Sequence, residues 1–120
     1  MTVSIYFESN DLAVFHGSGV LTREEVDQAK HVLHEHMVHH GQVRVLIVIA
    51  SDFQNLQAFV QWDDIELDKD IQKNVSRMAI VGDLRWRDSA LLFFMSAVSS
   101  FPMEFFSADH EVLARAWLDC

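Results

Sequence analysis

Residues 43–50 read Val-Arg-Val-Leu-Ile-Val-Ile-Ala, mostly β-branched, with Arg44 as the only charge. A strand with one wet face alternates apolar and polar residues. A run that is apolar at both parities needs cover on both faces, so it marks a central strand of a sheet enclosed by other elements.

The flanking segments supply candidates for that cover. Residues 3–7 are rich in β-branched and aromatic side chains and read as a strand. Ser9-Asn10-Asp11 is a turn cluster, and residues 12–15, extending as far as 18, read as the returning strand of a hairpin. Thr22 and Glu25 have capping-box spacing, in which hydroxyl and carboxylate each satisfy a free backbone N–H. Val26, Ala29, Leu33 and Met37 then form one helical stripe that Gly41 terminates. Further along, the pattern predicts a helix over 63–74 with Leu67, Ile71 and Val75 on one side, and a buried strand over 78–81. It also predicts a helix over 87–99 broken by Pro102, and a strand over 103–106. A last helix, capped by Ser107 or Asp109, carries Val112, Leu113, Ala116, Trp117 and Leu118. The order β-β-α-β-α-β-α-β-α argues for one α/β domain over residues 1–120 with a mixed, mostly parallel sheet.

Charge and cysteine content narrow the function. Nine basic residues against eighteen acidic give a net charge of −9, which argues against nucleic acid as a partner, since phosphate binding needs clustered Lys and Arg. Half of the residues are hydrophobic, which excludes a disordered chain. Cys120 is the single cysteine, so no intrachain disulfide is expected. The first residues lack a basic, cleavable leader pattern, and the longest uncharged stretch, 89–103, is shorter than the roughly 20 residues a membrane span needs. The expected location is the cytoplasm.

Several segments recur together in a known arrangement. These are Gly19-Val20-Leu21-Thr22, the end of the buried strand near Asp52-Phe53, and Trp62 with Asp63. They are followed by Arg77-Met78-Ala79-Ile80-Val81-Gly82-Asp83 with Trp86, and by Ala116-Trp117-Leu118. In sequence and spacing the chain resembles the SpoIIAA-like family of small bacterial proteins. The resemblance implies a STAS-like fold, with helices mainly on one side of the sheet, and no established enzymatic activity. It also implies two roles by analogy: an apolar-ligand module, or a regulator of the anti-sigma factor antagonist type switched by phosphorylation of a serine in an Asp-Ser-Ser-Gly-like turn. Here that segment reads Ala50-Ser51-Asp52-Phe53, so Ser51 is the nearest hydroxyl and the phosphoserine motif is missing.

The residues offer few alternatives with chemistry. His31, His34, His36, His39 and His40 crowd the first helix, and His36 and His40 sit one turn apart, a spacing that can share a divalent metal. A structural site needs four ligands, and the simpler reading is a solvated helix face. Asp63, Asp64, Glu66, Asp68 and Asp70 lack the glycine and glutamate of a calcium loop. His16-Gly17-Ser18-Gly19 has the wrong spacing for a nucleophile elbow. No catalytic residue, resident metal or cofactor is expected.

The apolar helix is the outlier. Ala90, Leu91, Leu92, Phe93, Phe94, Met95, Ala97 and Val98 cover most of its circumference, whereas a helix on a sheet ordinarily keeps a polar outer side. Its cover is another part of the chain, a second copy, or an apolar ligand. Phe53, Leu56, Phe59, Val60 and Trp62 form a second apolar cluster nearby in sequence. The working reading is a non-enzymatic binding module whose ligand surface comprises Phe53, Leu56, Phe59, Trp62 and Trp86, with Leu91, Phe94, Met95 and Val98 from the helix. Its partner is a lipid or other apolar molecule. The alternative is a homodimeric interaction module.

Overall fold

The apolar run is the middle of the sheet. The computed structural model describes residues 3–19, 23–53, 73–87 and 102–119, and within them five strands lie side by side in chain order. β1 (Val3–Ser9) and β2 (Leu12–Gly17) form the hairpin, followed by β3 (Val43–Ile49), β4 (Val75–Gly82) and β5 (Met103–Ser107). β1 is antiparallel to β2, and β2 through β5 are mutually parallel. This is the mixed, mostly parallel α/β sheet that the element order implies.

Two helices are described, and they take opposite faces. α1 (Arg23–His40) buries Ala29, Leu33 and Met37 against Ala13, Val43 and Val45. α2 (Glu111–Leu118) buries Ala114 and Leu118 against Val14, Leu46 and Ala79. β3 therefore sends alternate side chains into two separate clusters, as its unbroken hydrophobicity demands. Gly41 ends α1 with φ +84°, its N–H bonded to Met37 O at 2.8 Å, a left-handed cap that a Cβ would strain. Thr22, the Val26 side chain, and nearly all of the expected helices over 63–74 and 87–99 lie outside the described residues. No described helix is long and apolar enough to cross a membrane.

Three local readings need correction. Val75 is the first residue of β4 rather than the last contact of a helix, because it pairs with Val43 in the sheet. The register then jumps so that Arg44 faces Arg77, leaving Ser76 as an extra residue on β4. That bulge lets Val75 and Met78, three positions apart, both face α1. Val112 and Leu113 are 79% and 55% exposed, so α2 packs through Ala114, Leu118 and the half-buried Trp117 instead. Ser107 caps no backbone N–H of the last helix. Its hydroxyl donates to Asp109 Oδ1 at 2.7 Å, and His110 Nδ1 lies 2.8 Å away.

The C-terminal end of α2 is held by two arginines that stand opposite each other on neighbouring strands. Arg77 Nη1 donates to Trp117 O at 2.8 Å, and its guanidinium lies 5.1 Å from the centre of the Trp117 ring. Arg44 donates to Leu118 O at 3.2 Å, to the Asp119 carboxylate, and to Asp11 Oδ1 at 3.3 Å. Cations are favoured at this end of a helix, where carbonyls lack intrahelical partners. Ser9 donates to Asp11 Oδ1 at 2.7 Å. That bond is the largest influence, and together with the charge and hydrogen bond of Arg44 it outweighs the opposing effect of burial and holds the Asp11 carboxyl below the ordinary carboxylate value. Arg115 joins Glu111 on its own helix at 3.1 Å and reaches across to Glu8 on β1.

At the other end of β4, a Cβ on Gly82 would stand 2.9 Å from Ile49 Cβ. The two strands approach too closely there for any side chain. Gly82→Ala is therefore expected to lower stability by about 1–3 kcal/mol through overpacking, read as a shift in the urea midpoint at unchanged slope. Arg77→Met is expected to cost about 1.5–3 kcal/mol, the usual worth of a hydrogen bond to a charged group. Amide exchange should then quicken in α2 while β3 keeps its protection.

Candidate functional site

In open sheets of this kind, ligands are taken up beyond the carboxyl ends of the parallel strands. Here that rim is built from the segments following β3 and β4. Ala50 N donates to Gly17 O at 2.8 Å and Phe53 N to Ala50 O at 3.1 Å, which turns the chain back and buries Phe53 to 2% exposure. After β4, Asp83 accepts from Arg85 N at 2.9 Å and caps a short 3-10 turn, Leu84–Trp86. Trp86 N closes the turn on Asp83 O at 2.9 Å.

The two turns bring Phe53 and Trp86 together, ring centres 5.1 Å apart at 75°, the edge-to-face geometry aromatic pairs prefer. Both belong to the expected ligand surface. Arg85 lies over the indole at 5.3 Å and donates from Nη2 to Ser51 O at 3.4 Å, tying one turn to the other. Among the described residues two buried side-chain nitrogens have no hydrogen-bond partner, Arg44 Nε at the clamp and Trp86 Nε1 at this rim. Ser51 itself sits in the exposed turn just after β3. The other expected surface residues, Leu56, Phe59, Trp62, Leu91, Phe94, Met95 and Val98, lie outside the described residues.

The histidines gather elsewhere, along the C-terminal half of α1. His36 stacks on Phe7 at 3.8 Å and 11°, and lies tilted against His40 at 4.3 Å and 30°. Its Nε2 donates to Asn10 O at 2.7 Å, because a carbonyl can only accept. His36 thus pins the hairpin turn to the helix, a role that spacing alone does not reveal. The groove beside it has a volume of about 260 Å³ and is lined by Phe7, Val32, Glu35, His36, His39 and His40. Among the described residues no group of three or more His, Cys, Asp or Glu is arranged to hold a metal. Zinc calorimetry is expected to give the same weak heats for wild type and for His36→Ala/His40→Ala.

The comparisons agree with the architecture. The SpoIIAA-like family model matches residues 12–119. The chain belongs to the SpoIIAA-like family. Among solved structures, an uncharacterized protein of the DUF3478 family with a SpoIIAA-like fold, from Shewanella loihica PV-4, superposes with a TM-score of 0.64 at 23% identity. The match covers 97% of this chain and 91% of that one. No curated protein matches.

The SpoIIAA-like motif segments acquire physical reasons in this fold. Arg77 and Trp117 meet as the clamp on α2, Gly82 is the close approach to Ile49, Asp83 caps the turn that carries Trp86, and Phe53 packs nearly perpendicular to that indole. Arg44 was visible in sequence only as a charge near the start of an apolar strand. Its partners, Asp11, Leu118 and Asp119, lie far away in sequence.

Proposed function

We propose that this SpoIIAA-like chain is a non-enzymatic binding module that takes up an apolar molecule carrying one hydrogen-bond acceptor beside the Phe53–Trp86 pair. The observation that carries this is the buried Trp86 Nε1, which has no partner among the described residues. A buried donor left unsatisfied costs about 1–3 kcal/mol, so soluble folds rarely keep one without use for it. An ester, carboxyl or hydroxyl oxygen of a ligand would recover that cost while the rest of the molecule lies against the aromatic rings. The family resemblance, which carries no established catalysis, is consistent with the absence of a nucleophile–base pair in the sequence motifs. On this reading the apolar residues around Phe59 and Trp62 and those of the 91–98 segment line the ligand's hydrocarbon side. Arg85, exposed over the indole, stands at the rim, where an acidic head group would find it.

Native mass spectrometry of gently purified protein should show an adduct that is lost on delipidation and restored by a long-chain fatty acid. Trp86→Phe keeps the aromatic contact and removes only the donor. It is expected to weaken uptake about three- to tenfold, the worth of one neutral hydrogen bond. A clean apo mass with no fatty-acid uptake, or equal affinity in Trp86→Phe, would contradict the proposal.

A further inference from the structure

The charges around Trp86 bear on what kind of head group the rim suits. The chain carries twice as many acidic as basic residues, and elsewhere its arginines are engaged. Arg44 and Arg115 each bind two carboxylates, and Arg77 holds the Trp117 carbonyl. Arg85 departs from that pattern. Asp83 stands two residues before it and accepts from its backbone N–H, and Asp52 is exposed beside Ser51. Among the described residues the Arg85 guanidinium pairs with neither carboxylate. It lies over the Trp86 ring instead, and its one bond, Nη2 to Ser51 O, is long at 3.4 Å. A guanidinium has five N–H donors in a planar fork, so most of this one remain for another acceptor.

The neighbouring residue supplies a second open donor, Trp86 Nε1. Arg44 Nε is likewise buried without a partner, but it belongs to a guanidinium whose terminal nitrogens already hold Leu118, Asp119 and Asp11. An indole has a single donor and no second way to satisfy it. One short turn therefore presents a neutral donor and a cationic fork together, with the guanidinium 5.3 Å from the centre of the indole ring.

We propose that the acceptor taken up beside the Phe53–Trp86 pair is an ionised carboxylate, with one oxygen on Trp86 Nε1 and the other on the Arg85 guanidinium. This rests on the apolar-ligand reading above and narrows it to a singly charged amphiphile, a long-chain fatty acid. A carboxylate offers two coplanar acceptor oxygens, and its charge-assisted bonds to arginine are about twice as strong as neutral ones. An alcohol or a methyl ester brings no charge to the fork. A phosphate monoester brings nearly two, and Asp52 and Asp83 beside the rim oppose the second. The aromatic rings then supply affinity for the chain, and Arg85 sets the choice of head group.

Equilibrium dialysis of radiolabelled ligands against the full chain, below the concentration at which they form micelles, tests this. At low salt a long-chain fatty acid should bind at least about tenfold more tightly than its methyl ester or the corresponding alcohol. Arg85→Gln should remove that preference by weakening the acid while leaving the ester within about twofold, and Arg85→Lys should restore part of it. Arg87→Gln makes the same change of charge at an exposed neighbour and should leave the preference in place. Equal binding of acid and ester would overturn the proposal and leave the apolar-ligand reading standing, whereas uptake of neither would overturn both. Equal loss of acid and ester in Arg85→Gln would reduce Arg85 to holding the Ser51 turn. Equal effects of Arg85→Gln and Arg87→Gln would reduce it to diffuse charge. Either result overturns the assignment, as would tighter binding of a long-chain alkyl phosphate than of the fatty acid.

Discussion

The burial of β3 on both faces is the constraint from which the architecture follows. Val43, Val45 and Leu46 are all within 1% of complete burial, although neighbouring positions point to opposite sides. One layer cannot achieve that, so α1 and α2 must flank the sheet, and strands must pair with β3 along both its edges. The cost of ordering the chain is met largely here: burying each such side chain contributes about 1.5–3 kcal/mol. The bulge at Ser76 serves the same end, since without the extra residue Val75 and Met78 would face different cores.

The paired arginines show how the family's scattered motif residues become one structure. Two guanidiniums on adjacent strands would repel across a spacing of about 5 Å. They are tolerated because each has carbonyl oxygens of the α2 terminus, with Asp11 and Asp119 adding negative charge around Arg44. α2 is only eight residues long, too short to be stable by itself. The clamp below, the Arg115 contacts with Glu8 and Glu111, and the burial of Ala114 and Leu118 supply what its length does not.

Much of the fold was legible because its signals are local. The unbroken apolar run, the stripe ending at Gly41 and the turn cluster before β2 each carry their meaning within a few residues. What was not legible depends on contacts distant in sequence. Val75 fits a helical stripe with Leu67 and Ile71, and only the sheet register reveals it as a strand residue. Val112 and Leu113 look like core in a short apolar helix, yet the face of α2 is chosen by the arginine clamp and lies elsewhere. Of the candidate site, Phe53 and Trp86 were expected on one surface, but that the indole nitrogen is buried without a partner among the described residues is set by contacts that sequence does not display. An orphaned donor is a property of everything around it. The histidine-rich helix misled for a related reason: i,i+4 spacing says which rings are neighbours, while the Asn10 carbonyl and Phe7 ring decide what His36 does.

The close approach of Gly82 to Ile49 has an evolutionary corollary. The two positions share one small volume, so neither can drift alone. A lineage that acquires a methyl group at 82 would have to trim the branched chain at 49 first, or arrive at both changes together. Among distant relatives, a small residue at one position should therefore travel with freedom at the other. The strand that carries Asp83 and Trp86 to the rim would keep its height above the sheet only where that exchange has stayed balanced.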